Sequence, residues 1–329
     1  MTPEISMKRF SRRSVLCASA ALLWADRSAA QPDAGPTPQT ERRGNTIPAE
    51  VIGDPRVETF DLGPAGAPWR IFVGRPRGRA PAGGYSVIFA LDGNASFPLF
   101  WHAREALAPE APVVIVGIGY PTPYRFDADR RYLDLTPLTP PENFGGRRSD
   151  RATGGRKVFL DFIEGELSAE IVRRLPVDPA RRSLFGHSLG GLFTLHALYE
   201  RPHLFSGYIA ADPSIWWNKG SILAEEARFR ANLTATPVPP IRLLMENSGG
   251  ERRAASDPRS DAAFSGRLAA ERLAGTGRIE VFYRVFSDET HPSMLGPAIA
   301  DGLLFHLGHD FGAGTAERMP VAVGGPSEK

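Results

Sequence analysis

Short apolar runs alternate with stretches of helical period from about residue 69 to residue 307. Trp69-Arg70-Ile71-Phe72-Val73 predicts an early strand. Ser86-Val87-Ile88-Phe89-Ala90-Leu91 and Val113-Val114-Ile115-Val116-Gly117-Ile118 are continuous apolar runs, as in strands buried on both faces. From Val158 to Leu175, the residues Val158, Phe159, Phe162, Ile163, Leu167, Ile171 and Val172 recur at helical spacing and predict one amphipathic helix. There follow a short strand at Ser183-Leu184-Phe185, a helix from Leu189 to Tyr199, and strands at Gly207-Tyr208-Ile209-Ala210 and Ile241-Arg242-Leu243-Leu244-Met245. A helix near Asp261–Leu273, a strand from Ile279 to Phe286 and a helix ending near Leu307 complete the pattern. Alternation of this kind predicts one α/β domain over residues 51–310, with a mostly parallel central sheet flanked by helices and no separate large lid domain. No internal repeat is present. The Gly-, Pro- and Ala-rich tail, residues 311–329, is expected to fray.

The N-terminus follows a different pattern. Basic residues Lys8 and Arg9 lead into Ser11-Arg12-Arg13-Ser14-Val15-Leu16, then an apolar run from Val15 to Trp24, then Ser28-Ala29-Ala30. That is the basic, apolar, small-residue order of a secretory signal over residues 1–30, with cleavage expected before Gln31. The run is shorter than the ~20 residues needed to span a bilayer, so no stable membrane insertion is expected after cleavage. Paired Arg12 and Arg13 point to twin-arginine export machinery and a periplasmic location, an ordinary secretory signal being the alternative. Cys17 lies inside the apolar run after Leu16, where a lipoprotein signal needs a small residue. Residues 31–50 are rich in Pro, Thr and Arg and read as a flexible lead-in.

Composition narrows the function. Gly (34) and Pro (30) stay below the ~25–30% of low-complexity chains, so the body of the chain is globular. The net charge of +2 belongs to the N-terminus: without residues 1–30 there are 34 bases and 35 acids. Bulk charge therefore gives no support to a nucleic-acid partner. Cys17 is the only cysteine, which excludes disulfides, cysteine-ligated zinc, iron–sulfur clusters and a cysteine nucleophile from the domain. No His-Glu-x-x-His or phosphate-loop pattern occurs, and Gly117-Ile118-Gly119 lacks the third glycine of a dinucleotide fingerprint.

Gly186-His187-Ser188-Leu189-Gly190 matches Gly-x-Ser-x-Gly, a turn that lifts a serine hydroxyl clear of a sheet. It follows a predicted strand and precedes a predicted helix, the context the motif requires. The crowded turn needs small flanking residues, and the helix start aims free N–H groups at the site. Serine needs a base to be a nucleophile, and the chain order in this motif's fold is serine, acid, histidine. Of seven histidines, only His291, His306 and His309 come late enough. His291 sits in a loop between a strand and a helix, Asp288-Glu289-Thr290-His291-Pro292, while His306 and His309 sit at a helix end. The acid remains open among Glu246, Glu251, Asp257, Asp288 and Glu289, with a Ser–His dyad as the other design. A residue within a strand cannot easily swing toward the histidine, which counts against Glu246.

The chain resembles the esterase D-like esterases of the α/β-hydrolase fold, and within them the bacterial enzymes that open trilactone catechol siderophores. The resemblance covers about residues 55–308. It rests on Leu91-Asp92-Gly93-Asn94, Gly117-Ile118-Gly119-Tyr120, Arg130-Arg131-Tyr132-Leu133-Asp134-Leu135-Thr136-Pro137, the segment from Phe159 to Leu167, the elbow, and Asp212-Pro213-Ser214-Ile215-Trp216-Trp217. It implies that Glu251 is the triad acid, three residues beyond the position that ends the strand. Ser248 stands there in place of the family's glycine, and Asp212 replaces a common serine. It also implies an oxyanion hole from the N–H groups of Leu189 and Asn94, and Arg130 facing the active site. A fixed guanidinium suits an anionic or catechol-rich substrate. Trp216 and Trp217 either stack on substrate rings or pack under a helix. No cofactor is implied, because acyl transfer to water needs only nucleophile, base and oxyanion hole. The expected function is an exported serine esterase with a Ser-His-Glu triad, acting on a small-molecule ester such as a siderophore trilactone. The alternatives are a carbohydrate feruloyl or acetyl esterase, an acyltransferase, and a non-catalytic ferric-siderophore binding protein.

Overall fold

The computed structural model describes residues 46–144, 150–233, 240–250, 260–309 and 316–321. All lie in the unit Pro38–Lys329; the unit Met1–Thr37, and with it the expected signal segment, is outside the described residues. One sheet carries the fold. Its strands are β1 (Val57–Leu62), β2 (Trp69–Gly74), β3 (Tyr85–Leu91), β4 (Val113–Gly119), β5 (Val177–His187), β6 (Gly207–Ala211), β7 (Ile241–Ser248), β8 (Ile279–Phe286) and β9 (Glu317–Arg318). Their order across the sheet is β1-β2-β4-β3-β5-β6-β7-β8-β9. From β4 to β8 every neighbouring pair is parallel; β1, β2 and β9 add antiparallel edges. The C-terminal ends of β3, β5, β6, β7 and β8 therefore share one edge of the sheet, where open α/β sheets place their sites.

The continuous apolar runs are explained by the two faces. Side chains alternate along a strand, so Leu184 and Phe185, Tyr208 and Ile209, and Leu243 and Leu244 each split between two separate apolar clusters. On one face, Phe97, Phe100 and Trp101 of the helix Gly93–Leu107 pack with Leu295, Ile299 and Leu303 of the helix Leu295–Leu307. On the other face lie the helices Leu189–Glu200, Ile222–Asn232 and Gly266–Ala274, together with the segment Arg156–Arg174.

That last segment corrects the sequence reading. It is not one regular helix: Arg156–Phe162 passes through a π-helical turn, Ile163–Leu167, into Ser168–Arg174. Phe159, Ile163, Leu167 and Ile171 are buried at a spacing of four, whereas Val158 and Val172 are exposed. In a 3.6-residue helix such a row drifts around the axis; the wider π turn takes up the drift and keeps the four on the core face. Val158 and Val172 are each one residue, about 100°, off that face.

Candidate active site

Ser188 is the first residue after β5 and the last before the helix Leu189–Glu200. Its backbone is left-handed, φ 61° and ψ −117°. It is pinned there by its N–H on the carbonyl of Ala211 (2.9 Å), while its own carbonyl accepts from Leu192 (3.0 Å) and Ser214 (3.1 Å). The glycine at 186 is a matter of space: a Cβ there would lie 2.2 Å from the carbonyl oxygen of Gly190.

The structure brings His291 to this serine. Nε2 of His291 stands 2.9 Å from the Ser188 Oγ, and Nδ1 stands 2.6 Å from Oδ2 of Asp212. Asp212 is the first residue after β6, also left-handed at φ 40°, with its side chain nearly buried. Asn247 Nδ2 donates to its Oδ1 (2.9 Å) and the Ser248 hydroxyl to its Oδ2 (2.6 Å). Burial pushes the Asp212 carboxyl up, but hydrogen bonds from His291, Ser248 and Asn247 and the charge of His291 outweigh it and hold it well below the usual carboxylate range.

Among the described residues, the carboxylate seated on His291 is Asp212; the sequence reading placed Glu251 there. Glu251 lies outside the described residues; its neighbour Gly250 donates its N–H to the carbonyl of Glu289 (2.9 Å). The signal for Asp212 was present as a pair of departures from the family pattern. Aspartate replaces a common serine at 212, serine replaces glycine at 248, and the two side chains are hydrogen-bonded to each other. Glu246 is fully buried within β7, and burial, then the charge of Asp301, pushes its carboxyl well above the ordinary glutamate value. Asp288 is exposed. His306 bonds Ser183 (2.8 Å) and burial holds it down at about 3.

Leu189 and Asn94 both stand in the first turn of a helix, where N–H groups have no intrahelical acceptor. Their strands, β5 and β3, are parallel neighbours, so the two helix starts lie side by side. The Asn94 side chain is spent on the loop beyond β4. Its amide nitrogen donates to the carbonyls of Tyr120 and Thr122, and its oxygen accepts from the N–H of Tyr120 (2.8 Å). Gly119 makes room, since a Cβ there would meet Asn94 Oδ1 at 2.1 Å. Arg131, not singled out in the sequence, forms a two-pronged ion pair with Asp92 (3.0 and 2.9 Å) directly before this helix.

Arg130 is held by the carbonyls of Ala67 and Pro68 and by Asp134, and its guanidinium lies over the rings of Trp69 and Tyr120. Trp217 is 1% exposed, bonds Thr139 through its indole N–H (2.9 Å) and packs edge-on against Tyr132 and Phe144. It is a core residue, so of the two roles expected for it packing holds, and its place among the substrate-contacting residues is corrected. Trp216 is partly exposed.

A serine, an imidazole and a buried carboxylate in hydrogen-bonded series, on the C-terminal edge of this sheet, place the chain among the α/β-hydrolase-fold enzymes. The model of the family described as Putative esterase matches residues 65–283; the chain belongs to that family and is a carboxylic ester hydrolase. It is 37% identical over 274 residues to the siderophore enterobactin esterase of Emericella nidulans, covering 72% of this chain and 89% of that one. It is 36% identical over 279 residues to the ferri-bacillibactin esterase BesA of Bacillus subtilis, covering 81% and 94%. Among solved structures, the BES protein from Bacillus cereus superposes with a TM-score of 0.67 at 29% identity, covering 79% of this chain and 98% of that one. The siderophore hydrolase EstA from Aspergillus nidulans gives 0.65 at 30%, covering 78% and 96%.

Proposed function

We propose that this esterase hydrolyses siderophore esters, favouring catechol trilactones, through Ser188, His291 and Asp212. The observation that carries the mechanism is the continuous hydrogen-bonded series Ser188 Oγ, His291 Nε2, His291 Nδ1, Asp212 Oδ2. Ser188 attacks the ester carbonyl as His291 takes its proton. The N–H groups of Leu189 and Asn94 receive the developing oxyanion, donors of a kind worth ~2.7–4 kcal/mol each. His291 returns the proton to the leaving alcohol, and water releases the acyl group by the same route. Asp212 keeps Nδ1 protonated and stabilises the imidazolium. The substrate class rests on the siderophore esters named for the relatives.

The test is a hydrolysis panel of catechol trilactones, feruloyl and acetyl sugars and p-nitrophenyl acetate. A trilactone is expected to give the highest kcat/KM, and Ser188→Ala and His291→Ala should each abolish most of it. A sugar ester preferred over every trilactone would overturn the substrate. Either variant keeping more than about a tenth of wild-type kcat would overturn the mechanism. We further propose export by the twin-arginine route to the periplasm, on the strength of Ser11-Arg12-Arg13 and the run from Val15 to Trp24. Replacing Arg12 and Arg13 together by lysine should trap the protein inside the cell; unchanged export would point to the ordinary secretory route.

A further inference from the structure

The residue before the nucleophile has a role that the triad does not use. His187 is the last residue of β5, in register with Ala211 of β6, so its backbone is fixed by the sheet. Its Nε2 lies 2.8 Å from the main-chain carbonyl oxygen of His291, and the two imidazoles face each other with centroids 4.6 Å apart and planes 35° apart. A carbonyl oxygen only accepts, so Nε2 carries the proton and donates. His291 itself lies on the loop between β8 and the helix Leu295–Leu307, outside any strand or helix.

We propose that His187 is a positioning residue: it clamps the His291 loop by its main-chain carbonyl and sets the base at a fixed distance from Ser188, one peptide away. The proposal rests on reading His291 as the base. During turnover the Nε2–Ser188 hydrogen bond is broken, because Oγ becomes the ester oxygen of the acyl-enzyme and Nε2 delivers its proton to the leaving group. The Nδ1–Asp212 bond then holds the ring at one edge only, and the carbonyl clamp, which does not change through the cycle, fixes the main chain that carries it. The clamp must also be neutral, since a second cation beside His291 would oppose the imidazolium. Among the described residues, the charged and titratable groups acting on His187 are His291 from the loop, Asp212 from the end of β6 and Arg131 from the helix Ala128–Leu135. Desolvation first, then His291, hold the His187 ring well below the ordinary histidine value, so it stays uncharged.

The test compares three variants by kcat, KM, melting temperature and rate of Ser188 labelling by a fluorophosphonate. His187→Phe keeps a ring but loses the donor; a base displaced by about 1 Å should cost kcat about 10²-fold at unchanged KM. His187→Gln, whose amide N–H can reach the carbonyl, should recover to within about threefold of wild type. His187→Asn, too short to reach, should behave like His187→Phe and serves in its place if the phenylalanine does not fold. Equal kcat losses in the glutamine and asparagine variants, a loss through KM, or wild-type kcat in His187→Phe would each overturn the clamp. Ser188→Ala and His291→Ala run alongside: if they are inactive while His187→Phe is normal, only the clamp fails, and if they are active the triad itself fails.

Discussion

Replacing Asp212 by asparagine isolates the charge behind His291, the proposed base. Asparagine tolerates the left-handed backbone at 212 (φ 40°) as aspartate does, so the exchange adds no strain to the turn. The hydrogen-bond inventory also survives. If the new amide keeps its oxygen toward Ser248 and His291, its NH2 faces Asn247, whose own Oδ1 is buried, has no partner among the described residues and can accept once that amide turns over. The protonated Nδ1 is then preserved, and what is lost is the negative charge beside the imidazolium. Two unit charges about 4 Å apart at an effective dielectric near 20 interact by about 4 kcal/mol, which is about 10³ in rate. If the amide sits the other way round, its N–H meets Nδ1 and forces the wrong tautomer, a loss of about 10⁴. Steady-state hydrolysis of p-nitrophenyl acetate should therefore show kcat down by about 10³–10⁴ with KM and melting temperature nearly unchanged. Glu251→Gln serves as the comparison and should stay within about tenfold. An Asp212→Asn enzyme that keeps more than about a tenth of its kcat, beside a crippled Glu251→Gln, would return the acid to 251 and refute the reasoning.

Three further outcomes test the surroundings. Glu246 folds with its carboxyl raised above the ordinary value near 4.5, so the folded state holds a proton that the unfolded chain releases, and stability is lost as pH rises from there toward the folded value. Glu246→Gln should thus melt above wild type at pH ~8 and match it near pH ~4.5; a difference independent of pH would contradict this. Arg131→Gln strands the buried Asp92 carboxylate and should cost about 3–5 kcal/mol in denaturant unfolding, most of it recovered by adding Asp92→Asn; unchanged stability in the single variant would show the pair to be idle. Trp217→Ala should lose about 3–5 kcal/mol of stability as a core truncation, whereas Trp216→Ala should alter mainly KM; a stable Trp217→Ala enzyme with a raised KM would restore Trp217 to the substrate.

The strands β3 and β4, which face apolar layers on both sides, were legible as continuous runs and fall where those runs stand. The edge strand β1 has no such run: it pairs with a neighbour on one side only, and its residues are half-buried or exposed. The helix Gly93–Leu107 opens on Gly93 and Asn94 and contains Pro98, residue types that punctuate chains more often than they start helices. At the site, the elbow points to Ser188 through local sequence, and chain order leaves three histidines, of which only His291 stands in a loop between a strand and a helix. The acid is different in kind. Its identity depends on which carboxylate the sheet order carries to Nδ1, and strand order places β6 directly beside β5. No local pattern around Asp212 encodes that adjacency.

Three non-glycine residues with left-handed backbone, Asp92, Ser188 and Asp212, each occupy the first position after a strand: β3, β5 and β6. Those strands are consecutive in the sheet, so the three corners form one row at a spacing of about 4.8 Å between strands. Each left-handed corner costs of order 1–3 kcal/mol and persists only where its surroundings fix it. Here they do: Asp92 is held by Arg131 and by the N–H groups of Ala95 and Ser96, Ser188 by Ala211 and Ser214, and Asp212 by Glu246, Asn247 and Ser248. At the first two corners the sharp reversal starts a helix at once and turns its free N–H groups toward the row; at the third it turns a carboxylate inward. Relief of the strain by glycine at 188 or 212 would remove the side chain for which the corner is made. The histidine alone stands outside this row. It comes from the loop after β8, two strands beyond β6, and no strand end fixes it. That is why its placement depends on hydrogen bonds to two of the corners, Asp212 and Ser188, and on the His187 clamp at the end of β5.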